Sequence, residues 1–288
     1  MPAPDKIFKL NESKIILAHF ERFSSIMNYL STESDKVILI DLSEYKYIHP
    51  SFAVLIASMI YVGKENGNEV HMRVDSKAAE FLSNAGILTH FKIQTPLQIP
   101  WMSRQYKRES NFLKIMNMSS FEKVLDRLSE RMPENLSAKI QSDIVTCLHE
   151  ASYNAFQHSG KECFFCSTYG DNDEIICSIY DAGCGIPAKV LKFTNKDWPH
   201  EKCIRWALES GNTTVIPTED SYPRGVGLAT LKGIVDSQNG YSMILASGDT
   251  LYRFYRYKYN TKSVFDDLKT PLLGTLFTII INNAKSDS

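Results

Sequence analysis

The sequence predicts two joined units, an α/β unit followed by an α+β unit. Three observations carry that reading. Strand-length apolar runs alternate with helical patterns over the first hundred residues, a polar stretch preceded by two prolines breaks the pattern near residue 103, and the chain closes on strand patterns with no helix between them. At 288 residues the chain is also too long for one ordinary core and comfortable for two.

In the first unit, residues 36–41 (KVILID) read as a buried strand, and Phe52 to Val62 as an apolar helix ending at Gly63. A second strand covers Glu69 to Val74. Ser76 is expected to cap a helix from Lys77 to Asn84 that stops at Gly86. Pro96, Pro100 and the polar, basic stretch 103–111 mark a linker, so the first domain spans 1–102 and the second 112–288. The second unit opens with a strand near Phe112. Helices follow from Phe121 to Met132 and from Ser137 to His158. The second helix carries apolar residues at 140, 144, 148, 151 and 155, one buried stripe, and Gly160 would stop it. Strands are expected at 163–169 and 174–180, a short helix from Gly227, and strands near 241–246, 251–259 and 274–282.

Composition excludes little except the extremes. Charged residues make up 23% and the net charge is −1, so no global field holds nucleic acid or an anionic membrane. No apolar run nears the roughly 20 residues of a membrane span. The start MPAPDKIFKL lacks a signal peptide's apolar region, so a cytoplasmic protein with reduced thiols is expected. Cys163 and Cys166 form a CxxC, but odd spacing on a strand turns them to opposite faces and no second ligand pair accompanies them. Residues 252–259 (YRFYRYKY) interleave bases with aromatics, as single-strand nucleic-acid binders do. Strand alternation that packs one face and solvates the other accounts for them better.

Three segments carry chemistry. Glu150, Asn154 and His158 lie four apart on a helix, so at about 100° per residue they share one face, away from the apolar stripe. A carboxylate beside an amide oxygen suits a hydrated hard cation and an activated hydroxyl. Asp181 ends a strand just before Gly183 and Gly185, which lets backbone approach a ligand beside a carboxylate. A carboxylate accepts from an amine donor such as that of adenine. Gly225 and Gly227 open a helix, and free amides at such an end bind phosphate. Residues 183–188 also fit the G-x-G-x-x-A dinucleotide fingerprint, but no β-α-β start precedes them.

Taken in order, Glu150-x-x-x-Asn154-Ala-x-x-His158, Asp181-x-Gly183-x-Gly185, Gly225-x-Gly227-Leu228 and Gly274-Thr275-x-Phe277 resemble the histidine-kinase-like (GHKL, Bergerat-type) ATP-binding domain. That domain is shared by histidine kinases, type II topoisomerases, MutL-type mismatch-repair proteins, heat-shock chaperones and anti-sigma-factor kinases. The resemblance covers about residues 111–285. It implies an α/β sandwich that binds ATP and Mg²⁺. Asn154 would ligate the metal, and Asp181 would hold the adenine amine with Thr275 assisting through water. His158, Gly183, Gly185, Ile186, Arg224, Gly225, Val226, Gly227 and Leu228 would line the nucleotide. Residues 195–224 would form a mobile lid, and Glu150 would be the general base if there is chemistry. Kinases of this group often carry a base before the His158 position, where this chain has Gln157.

Residues 37–51, followed by an apolar helix, and residues 77–91 resemble the STAS domain of anti-anti-sigma factors over about residues 5–100. In that family the strand–helix turn reads D-S-S-G and its second serine accepts phosphate. Here it reads His49-Pro-Ser51-Phe52, which makes Ser51 a candidate phosphoacceptor, with a helix N-cap as the plainer role. Together the two resemblances imply an ATP- and magnesium-binding signalling protein, a regulatory ATPase or serine/threonine kinase of the anti-sigma type, acting on a regulatory protein partner. A non-catalytic nucleotide-controlled switch and the ATPase subunit of a larger machine stay open, as does a homodimer. Neither membrane nor nucleic acid is an expected partner.

Overall fold

The computed structural model describes residues 3–10, 16–45, 48–84, 87–91, 109–115, 118–132, 136–159, 163–169, 174–214, 227–257 and 260–282. Among them the protein is a mixed α/β structure with two sheets. Strands β1 (Lys6–Lys9), β2 (Val37–Leu42) and β3 (Glu69–Val74) form a parallel sheet in that order. Parallel neighbours need crossovers. Helix α1 (Ile16–Thr32) supplies the first and α2 (Pro50–Glu65) the second, with α3 (Ser76–Asn84) and α4 (Ile87–His90) after them.

The remaining elements are β4 (Glu109–Ile115), α5 (Met118–Arg131), α6 (Ala138–Ser159), β5 (Cys163–Tyr169), β6 (Glu174–Asp181), α7 (Gly185–Thr194), α8 (His200–Ala207), α9 (Gly227–Ser237), β7 (Tyr241–Tyr257) and β8 (Asn260–Asn282). Their five strands run in the order β4-β5-β6-β8-β7, each paired antiparallel with its neighbour.

Strand β6 and the last residues of β8 are buried on both faces of this second sheet, and residue parity tells the faces apart. Odd-numbered Ile175, Cys177 and Ile179 of β6 and Phe277, Ile279 and Ile281 of β8 share a core with Ile144, Leu148 and Ala151 of α6 and Leu231 and Val235 of α9. Even-numbered Tyr180 and Leu276 join a second core with Phe20 and Phe23 of α1 and Leu55 and Met59 of α2. That second core runs without interruption into the parallel sheet through Ile38, Ile40 and Val70. The two halves therefore share one apolar interior. At its centre sit three hydroxyls. Ser51 Oγ lies 2.8 Å from Thr278 Oγ1 and 3.4 Å from Ser178 Oγ, and the last two are 2.9 Å apart. All three are fully buried and satisfy one another, as polar groups removed from water must.

Several local expectations are corrected. Helix α2 runs through Gly63 to a cap at Asn66. The glycine is a packing residue, because a Cβ there would fall 2.6 Å from Val70 Cγ2 and 3.1 Å from Leu30 Cδ2. The N-cap of α2 is His49, whose ring accepts the Ser51 N–H, so Ser51 is not the cap. Asp75 caps α3 in place of Ser76, its carboxylate accepting the Ala78 N–H at 2.7 Å. Strand β7 is continuous through an irregularity at Ser247–Thr250, where two strands are expected, and β8 begins at Asn260. The expected lid, 195–224, contains α8, whose Cys203 and Ile204 are fully buried. Residues 215–224 lie outside the described set, as do Gly86, Gly160 and most of the 103–111 linker, whose last residues begin β4. On the aromatic-basic strand, Tyr252 and Phe254 are buried, while Arg253 pairs with Asp266 across the hairpin at 2.7 Å. Among the described residues no helix is long and apolar enough to cross a membrane.

The shared interior predicts one cooperative unfolding transition, with far-UV circular dichroism and tryptophan fluorescence coinciding in urea. Thr278→Val removes the hydroxyl that best satisfies Ser51. It should lower stability by about 1–2 kcal/mol, read from the urea midpoint.

Candidate functional site

The odd-numbered face of the second sheet and the helices over it gather the residues with chemical potential. The stripe Ile140, Ile144, Leu148, Ala151 and Ala155 seats α6 on the sheet. That leaves Glu150 and Asn154 on an adjoining, half-buried face. Helix α9 packs beside α6, and its first residue, Gly227, meets both side chains. A Cβ at Gly227 would lie 3.0 Å from Glu150 Oε2, 3.0 Å from Asn154 Nδ2 and 3.3 Å from Asn154 Oδ1. The absence of a side chain here keeps the α9 N-terminus open against a carboxylate and an amide. Asn154 Nδ2 is buried and makes no hydrogen bond among the described residues. An unpaired buried amide costs about 1–3 kcal/mol, so it favours any ligand that can accept from it.

The second cluster lies where β6 ends. Antiparallel register sets Asp181 beside Thr275 of β8, and Thr275 beside Ser247 of β7. All three point to the α6 face by parity. Asp181 is 7% exposed, and its Oδ1 accepts the Gly183 N–H at 2.9 Å, closing a turn. Burial pushes its carboxyl up from the usual 3.8 to about 7, partly offset by that hydrogen bond. Gly185 opens α7 with φ +79°, and a Cβ there would sit 2.8 Å from Ser247 Oγ and 3.1 Å from the Gly274 carbonyl. Gly274 also has positive φ (+83°), and a Cβ there would overlap the Asp181 carbonyl. These two positions therefore require glycine for both conformation and space.

Of the residues expected at a site, Glu150, Asn154 and Gly227 come together, and Asp181, Gly183, Gly185 and Thr275 come together. Ile186 and Leu228 pack at the edge of the same core. The backbone of His158 continues α6, but its side chain lies outside the described set, as do Arg224, Gly225 and Val226 entirely. Ser51 is not brought to this face. It lies on the opposite side of the sheet, fully buried. Among the described residues no group of three or more His, Cys, Asp or Glu could hold a metal ion. The site residue that sequence reasoning misses is Ser247. A serine at a strand irregularity beside a glycine has no pattern of its own, and only the pairing with β8 reveals its place.

No protein-family model matches the chain, and no curated protein matches it. Among solved structures, the chain is similar to a histidine kinase domain from the Erythrobacter litoralis EL346 blue-light activated histidine kinase. Sequence identity is 12% and the TM-score 0.30, with 92% of this chain and 96% of that one covered.

The raised carboxyl of Asp181 has a signed consequence. Between about pH 4 and 7 the folded chain holds a proton that the unfolded chain has released. Stability due to this group therefore falls as pH rises through that window and stays low above it. Asp181→Asn keeps the acceptor for Gly183 and removes the titration. Urea midpoints from pH 4 to 8 should decline less in the variant than in the parent.

Proposed function

We propose that the C-terminal half binds ATP with magnesium and uses it in signalling, as a regulatory ATPase or serine/threonine kinase acting on a partner protein. The observation that carries this reading is the meeting of Gly227 with Glu150 and Asn154. It joins two motifs distant in sequence at a helix N-terminus, where phosphate is favoured. Two features of these residues fit the nucleotide. Asn154 Nδ2 is buried without a partner among the described residues and can donate to a phosphate oxygen, and glycine at 227 lets the α9 N-terminus approach Glu150 and Asn154 closely.

In this reading Asp181 accepts from the adenine amine, with Thr275 beside it. Gly183, Gly185 and Ile186 border the base. Gly227 and Leu228, with Arg224, Gly225, Val226 and His158, border the phosphates. Asn154 would hold the magnesium, which when bound neutralises phosphate charge. Glu150 would take the proton from a water or a partner hydroxyl, whose oxygen attacks the γ-phosphorus as the bond to the ADP oxygen breaks, giving ADP with free phosphate or with a phosphoester. Ser51 is closed to either route while the halves stay packed. The first half, with its parallel β1-β2-β3 sheet, would be a STAS-like unit that serves as a built-in part of the protein. The departure at Gln157 favours one second reading, a switch that binds nucleotide without turnover.

Titration with ATP and magnesium tests this directly. Binding of an amine should favour the Asp181 carboxylate, so at pH 7 the complex should release protons, visible as a buffer-dependent binding enthalpy. Glu150→Ala should cut phosphate release by at least about 100-fold with little change in affinity. Unchanged turnover would remove Glu150 from its role, and no turnover in the parent would leave the switch. Asp181→Asn should weaken ATP by about tenfold or more. Unchanged affinity would place the base elsewhere.

A further inference from the structure

We infer that Ser247 sets base selectivity at the Asp181 end of the site, by forcing the Thr275 hydroxyl to act as an acceptor. The inference rests on the nucleotide reading above and deepens it. Ser247 is fully buried. Its Oγ accepts the Ile186 N–H at 2.9 Å, donates to the Gly274 carbonyl at 2.9 Å, and lies 3.2 Å from Thr275 Oγ1.

A serine hydroxyl has one proton and two acceptor positions. The carbonyl of Gly274 has no proton to give, so the single Ser247 proton goes there. The Ile186 N–H takes one lone pair. The contact with Thr275 can then run only one way, with the Thr275 O–H donating to the remaining Ser247 lone pair. Thr275, half-buried beside Asp181, has thus spent its proton inside the protein. Toward a ligand it presents lone pairs.

The consequence is a pair of acceptors side by side, the Asp181 carboxylate and the Thr275 oxygen. Such a pair matches an exocyclic amine, which carries two protons, directly or through one water. It opposes an oxo group at the same position, because an acceptor would meet an acceptor. Sites that read a polar group in this way discriminate more strongly than apolar ones. Ser247 also fixes Gly185 by close approach and Ile186 by hydrogen bond, so the turn that borders the base cannot shift to relieve the mismatch.

The test compares ATP with ITP, which differ by amine against oxo at the position read. Affinities are measured with magnesium at pH 8, above the Asp181 titration so that its carboxylate has no proton to offer an oxo group, for the parent, Ser247→Ala and Ser247→Cys. The parent should prefer ATP by about tenfold or more. In Ser247→Ala the Thr275 proton is released to turn outward, so the ATP:ITP ratio should fall by about tenfold, with ITP binding held or improved. Ser247→Cys, close in shape with a weaker acceptor, should fall between. A purely structural role would weaken both nucleotides alike and leave the ratio, which would overturn the inference, as would failure of both variants to fold. A parent that binds neither nucleotide overturns the nucleotide reading itself. A parent that binds both equally leaves that reading and removes selectivity from Ser247.

Discussion

The register of β6 against β8 is the constraint on which the rest of the structure depends. Pairing Asp181 with Thr275 places the odd residues 175–181 of β6 and 275–281 of β8 toward α6 and α9, and the even residues between them toward α1 and α2. A one-residue slip would exchange the faces. Asp181 would then turn toward Phe20 and Phe23, and the hydroxyls of Ser178 and Thr278 would lose Ser51. Polar groups on both sides thus oppose the slip, since each is satisfied in one register only. Gly274 reinforces this, because no side chain fits between β8 and the Asp181 carbonyl.

The same sheet serves two purposes with its two faces. One face is closed by the N-terminal half, through an apolar core with a small hydroxyl cluster at its centre. The other carries a carboxylate held partly out of water, an amide nitrogen with no partner among the described residues, and a helix start with no side chain. The Asn154 amide nitrogen, without a partner among the described residues, and the Asp181 carboxyl, titrating near neutrality, are costly in a ligand-free fold, and both belong to the α6 face.

Part of what brings the candidate site's residues together was legible in the sequence. Period-four spacing placed Glu150 and Asn154 on one face of α6, and the stripe from Ile140 to Ala155 predicted how that helix would be seated. Such signals are local, so they can be read from spacing alone. What escaped was set by contacts between distant segments. Gly63 read as a helix stop because its true role, contact with Val70 and Leu30, is not local. Helices α7 and α8 were hidden by glycine, proline and polar residues, although Cys203 and Ile204 anchor α8 in the core. Ser51 read as a cap or a modified residue, and became a buried contact once β6 and β8 were set against α2. Ser247 became a site residue only through its partners on β8 and α7.

The central claim is that the Glu150–Asn154–Gly227 cluster and the Asp181–Thr275 cluster serve a single nucleotide. Amide hydrogen exchange of the full chain, with and without magnesium and ATP, tests this most directly. Protection that appears together at residues 150–158, 181–187 and 227–232, with the same nucleotide midpoint, is the predicted result. Protection absent from either cluster, or appearing at two different nucleotide concentrations, would contradict the claim.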